Sequence, residues 1–110
     1  MKIDYILFLD DERTIEMVDR SSWPDLSILI ARSTSEAIQI LLTFGNPKYF
    51  SFDHDLGGTD TVMEFLKWLT YEYAPNRDFD IPEYVVHSAN PVGKLNIISY
   101  MESWKRSLSL

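Results

Sequence analysis

Tyr5-Ile6-Leu7-Phe8-Leu9-Asp10-Asp11 decides the fold: five consecutive apolar residues run straight into a pair of aspartates. A run of that length without alternation marks a strand covered on both faces, as in parallel sheets. Polar residues directly after it stand at the strand's carboxyl end. Working outward, Leu26 to Ala31 is a second run of the same kind, and Tyr49-Phe50-Ser51-Phe52 is a third that again stops on an aspartate. Glu83-Tyr84-Val85-Val86 is the fourth.

Helical signals fill the gaps. Ser33-Thr34-Ser35-Glu36 has capping-box spacing, and Ala37, Ile38, Leu41, Leu42 and Phe44 form one apolar face before Gly45-Asn46-Pro47 stops the helix. Thr61 to Tyr73 reads as a helix with Val62, Phe65, Leu66, Leu69 and Tyr73 inward, closed by Pro75. Asn90 caps a last helix that opens with Pro91 and carries Ile97, Met101, Trp104 and Leu108 in a stripe. Between the first two strands, Ile15, Met17 and Val18 allow about two helical turns before Ser21-Ser22-Trp23-Pro24 breaks them. The expectation there is a short helix plus loop.

Strands alternating with helices predict parallel pairing through right-handed crossovers, hence an α/β three-layer sandwich. The 110 residues are read as a single domain over 1–110. There are no cysteines, which excludes disulfides, thiolate nucleophiles and Cys-ligated metals. The first apolar run is too short for a signal sequence or a membrane span, so a cytoplasmic protein is expected, with no membrane partner. A net charge of −7 argues against an extended nucleic-acid-binding surface. It leaves room for a compact phosphate ligand, because a bound divalent metal can invert the field within one cleft.

In open α/β sheets ligands bind beyond the carboxyl ends of the strands. Those ends carry Asp10, Asp11, Glu12 and Arg13; Asp53, His54, Asp55 and Gly57-Gly58; and His87, Ser88, Ala89 and Asn90. Both histidines of the chain are among them. Asp10, Asp11 and Asp53 brought together would repel unless neutralised. A hard divalent cation, Mg²⁺ ahead of Mn²⁺, suits such oxygen donors and completes its shell with phosphate oxygens; helix capping is the plainer role for any one of them. His54 and His87 could act as general base and general acid on a phosphodiester, or ligate a softer ion such as Mn²⁺ or Zn²⁺. Arg13 and Lys94 are the nearest cations for clamping a phosphate, and the helix start after Ser88 is a natural anion site. Gly93 in the first turn of that helix costs about 1 kcal/mol relative to Ala, which close approach by a ligand or tight packing would explain.

Asp10-Asp11, Asp53 and Ser88 resemble the acidic pair, phosphoacceptor and hydroxyl of response-regulator receiver domains. The strings Phe8-Leu9-Asp10-Asp11-Glu12-Arg13, Ser51-Phe52-Asp53-His54-Asp55-Leu56-Gly57 and His87-Ser88-Ala89-Asn90-Pro91-Val92-Gly93 resemble more closely the divergent group called cyclic-phosphate processing receiver domains. The likeness runs from Tyr5 to about Trp104. It implies a receiver or flavodoxin-like fold with four parallel strands in the order 2-1-3-4. It also implies a metal on Asp10, Asp11 and Asp53, and an added active-site set of His54, Asp55, His87, Ser88 and Asn90. The implied activity is on cyclic phosphates, with RNA-end repair as one setting.

The chain departs from signalling receivers in lacking the fifth strand and helix and the Lys-Pro that ends that strand. Gly57 stands where a proline usually follows the phosphoacceptor. Three expectations follow: a metal-assisted phosphoesterase acting on a cyclic nucleotide or a 2′,3′-cyclic phosphate RNA terminus, a signalling module phosphorylated on Asp53, or a protein that binds cyclic phosphates without cleaving them. With the fourth strand at a sheet edge, a monomer or a weak homodimer is expected.

Overall fold

The computed structural model describes residues 3–108. Its sheet has four strands, β1 (Tyr5–Leu9), β2 (Ser27–Ala31), β3 (Tyr49–Phe52) and β4 (Glu83–Val86), in the order β2-β1-β3-β4. All three pairings are parallel, with Ile6 level with Ile28 and Tyr49, and Tyr49 level with Glu83. The expected α/β receiver-like topology is therefore borne out. β1 is central and every one of its residues is buried, which is why its sequence shows no alternation. β2 is an edge strand, and only Ala31 of it is buried.

Three helices complete the fold: α1 (Thr34–Phe44), α2 (Val62–Trp68) and α3 (Pro91–Leu108). Ala37 and Leu41 of α1, Val62, Phe65 and Leu66 of α2, and Ile97 and Met101 of α3 join Tyr5, Leu7, Leu9, Phe50, Phe52 and Val86 in one core. Aromatic rings fill its centre, with Phe50 stacked on Phe52 at 4.8 Å and Phe65 edge-on to Phe50 at 6.0 Å.

The opposite face carries the alternate residues, Ile6, Phe8, Tyr49, Ser51 and His87. No α-helix lies between β1 and β2 to cover it. The expected short helix is a single 3-10 turn (Ile15–Met17) followed by loop. Trp23 supplies the cover, its ring 6.0 Å from Phe8 and 6.2 Å from Tyr49. The third layer of the sandwich is thus a loop.

Other differences from the sequence reading are local. Leu42 and Leu108, expected inward, are exposed, and Ile40 rather than Leu42 packs on the core beside Ile38 and Phe44. The helical stretch over 61–73 changes winding: after Trp68 it continues as a π turn (Leu69–Tyr73) and closes with a 3-10 turn (Ala74–Asn76) that contains Pro75. Leu69 and Tyr73 stay buried throughout. Ser33 caps α1 by accepting from the Glu36 amide at 3.1 Å, whereas the Glu36 carboxylate reaches back to the Arg32 amide, one residue beyond the cap.

Candidate functional site

Each strand hands its last residues to the same sheet edge. The Asp10 amide bonds to the Ala31 carbonyl, Asp53 to Leu9 and His87 to Phe52, so pairing continues one residue past the strands and fixes all three loop starts. A cleft of about 360 Å³ opens there, lined by Asp11, Glu12, Arg13, Asp53, Asp55, Gly57, Gly58, Ser88, Ala89 and Asn90. Gly57 closes one wall with φ +92°, and a side chain there would also sit 3.4 Å from Asp11 Oδ2. That position needs glycine on conformational grounds first.

Asp10, Asp11 and Asp53 come together as the sequence predicted. Each offers a carboxylate oxygen, and the three lie within 4.8 Å of one another. Asp10 is fully buried and Asp53 nearly so. Asp10 is also saturated. Its Oδ1 accepts from the amides of Glu12 and Arg13, both at 2.9 Å. Its Oδ2 accepts from Arg13 Nη1 at 2.9 Å and faces His87 Nε2 at 2.8 Å. Burial pushes this carboxyl up, but those amides with Arg13 and His87 outweigh it and hold Asp10 below the usual carboxylate range. Asp53 goes the other way: burial first, and then the charge of Asp10, push its carboxyl up. Arg13, the His54 amide and the Ser88 hydroxyl only partly offset that rise. A cluster of carboxylate oxygens of this kind suits a hard divalent cation.

The histidines are engaged differently from a facing acid–base pair. His87 lies beneath the carboxylates, stacked on Phe8 with ring centroids 5.0 Å apart. Its Nδ1 is 2.8 Å from Ser51 Oγ and its Nε2 is 2.8 Å from Asp10 Oδ2. Burial lowers its pKa although Asp10 opposes this. The neutral ring therefore donates from Nε2 to the ionised Asp10 and accepts the Ser51 hydroxyl proton at Nδ1.

His54 packs against the start of α3. A Cβ added at Gly93 would fall 2.4 Å from His54 Cγ, so Gly93 is there to admit an imidazole. His54 Nδ1 is 3.0 Å from Asp55 Oδ1, and Asn90 Nδ2 donates to Asp55 Oδ2 at 3.3 Å. These two bonds, His54 first, hold the exposed Asp55 carboxyl low. Asn90 also caps α3, accepting from the Gly93 amide at 3.0 Å. Neither imidazole lines the cleft; Asp55 does.

Arg13, Ser88 and Asn90 also line the cleft, as expected of phosphate-binding groups. Lys94 is exposed on α3 outside the lining. Two contributors escaped the sequence reading. Arg32 Nη1 donates to the carbonyls of Asp10 and Arg13, tying down the first loop. Ser51 fixes His87. Each had a signal: Arg32 stands just past β2 at the functional edge, and Ser51 is the one small polar residue within an otherwise aromatic strand.

A parallel 2-1-3-4 sheet with an aspartate cluster and a hydroxyl at its carboxyl edge defines a receiver-type domain. The family model described as cyclic-phosphate processing receiver domain matches residues 5–103, and the chain belongs to that family. No curated protein and no solved structure matches the chain. Among the described residues, no helix is long and apolar enough to cross a membrane.

Proposed function

We propose that this domain hydrolyses a cyclic phosphodiester, a 2′,3′-cyclic phosphate at an RNA end or on a small nucleotide, with the help of a divalent cation, Mg²⁺ or Mn²⁺. Support comes first from the family, which is associated with cyclic-phosphate processing. The observation that carries the reading is the triad Asp10, Asp11 and Asp53, whose oxygens gather within 4.8 Å beside a cleft that also presents Arg13, Ser88 and Asn90. Those three aspartates would hold the cation, which supplies charge neutralisation at the phosphoryl group.

The chain's own groups divide the remaining work. Ser88 and Asn90 bind non-bridging phosphate oxygens. Asp55 is a cleft-lining carboxylate held in place by His54 and Asn90, and its remaining lone pairs orient water. His54, expected as a general base or acid, thus becomes a positioning residue. Water passes a proton to the Asp55 carboxylate as its oxygen attacks phosphorus, one ester P–O bond of the ring breaks, and the departing alkoxide takes up that proton through solvent to leave a phosphomonoester. His87 acts as a positioning residue through Asp10.

Turnover of 2′,3′-cyclic nucleotides with Mg²⁺ or Mn²⁺ tests this. Asp53→Asn should abolish product formation, and Asp55→Asn should lower kcat by roughly a hundredfold, the scale of a general base. Tight binding of the cyclic nucleotide with no turnover in the unmodified chain overturns the hydrolytic reading in favour of recognition alone. A phosphate adduct formed from a small phosphodonor and lost in Asp53→Asn would favour the signalling role instead.

A further inference from the structure

Asp10 accepts from four donors, and a carboxylate has about four lone-pair positions. Three of these donors are fixed. The Glu12 and Arg13 amides belong to a turn that Arg32 pins through the carbonyls of Asp10 and Arg13. His87 is locked between Ser51 and Phe8. The fourth is the Arg13 guanidinium, on a side chain that is 30% exposed and lines the cleft. Its Nη1 stands 2.9 Å from Asp10 Oδ2 and 3.6 Å from Asp53 Oδ2, between two of the three clustered carboxylates.

We infer that Arg13 is an exchangeable internal counter-ion: its guanidinium occupies the Asp10–Asp53 pair until a divalent cation takes its place, and once released it binds the phosphate in the same cleft. This deepens the proposed function and rests on its cation-binding reading. Asp10 has no lone pair left for a metal while Arg13 stays, so cation and guanidinium exclude each other at Oδ2. Release costs no backbone rearrangement, because the amide and carbonyl of Arg13 keep their partners. The freed charge remains in the cleft lining, beside Ser88 and Asn90. Cation binding and anion binding are therefore coupled through one side chain.

The test is calorimetric titration of Mn²⁺ into the unmodified chain, Arg13→Gln and Arg13→Lys, each confirmed folded by its melting curve. Arg13→Gln should bind Mn²⁺ on the order of tenfold more tightly, the factor for one charge-assisted hydrogen bond that no longer has to break. Arg13→Lys, a point charge that cannot bridge two carboxylates with a planar fork, should fall between. With Mn²⁺ present, inorganic phosphate should bind Arg13→Gln on the order of tenfold more weakly than the unmodified chain, for loss of the same kind of bond. Equal or weaker Mn²⁺ binding by Arg13→Gln overturns the exchange and leaves the proposed hydrolysis standing. Failure of every chain to bind Mn²⁺ overturns both.

Discussion

His87 engages both ring nitrogens inside the fold, and that has a pH signature. Its folded pKa is depressed, chiefly by burial, so the unfolded chain binds the extra proton first, near the ordinary value of about 6.5. The stabilisation from the neutral ring is fully present above that pH. It is lost as pH falls toward the depressed folded value, with a slope of at most about 1.4 kcal/mol per pH unit. Asp10, held low, acts in the same direction only in the more acidic window around and below its unfolded value of about 3.8. Asp53, pushed up, works in the opposite sense, because its buried carboxyl is relieved on taking up a proton. Urea denaturation in chelator at pH 7.5, 6.5 and 5.5 should show stability falling with acidification, and His87→Gln should flatten that dependence. An unchanged slope would mean that His87 does not titrate on unfolding.

At the scale of elements, the start of α3 shows how packing and chemistry share one residue. Gly93 looks like a flaw in a helix, yet an alanine there would recover about 1 kcal/mol of propensity only by driving a methyl into the His54 ring. Overpacking costs typically 1–3 kcal/mol, so Gly93→Ala should destabilise by about 1 kcal/mol in chemical denaturation. It should also shift the His54 imidazole resonances as the ring leaves Asp55. The same residue marks what could be read from the chain beforehand. A glycine in a first helical turn announces a close approach, but its neighbour lies 39 positions away and only the folded crossover brings it near. The strand ends were legible because burial on both faces leaves an uninterrupted apolar run that stops at the first polar residue. The side on which each imidazole falls was not, since that depends on strand register and on whether a helix covers the face above it. Residues 62–73 make the same point. Their apolar spacing gave the buried face correctly, while the change to π winding at Leu69 left no mark in that spacing.

For the whole molecule, the dominant asymmetry is between a helical side packed with aromatic rings and a loop-covered side held by Trp23. A face with fewer buried apolar contacts opens at lower free energy. Amide exchange should therefore be fastest, among segments contacting the sheet, over residues 12–26, and slowest in β1 and β3. Equal protection in the two regions would contradict that ranking. The segment does more than cover. It follows directly on Asp10 and Asp11, carries Arg13, and shields the Phe8–His87 stack on which Asp10 leans. Opening of this segment and the position of Arg13 are consequently tied: an excursion that carries Arg13 away leaves the Asp10–Asp53 pair without its guanidinium while the sheet stays folded. Whatever pressed the segment onto Phe8 and Tyr49 would hold Arg13 over the Asp10–Asp53 pair from the opposite face of the sheet, without entering the cleft.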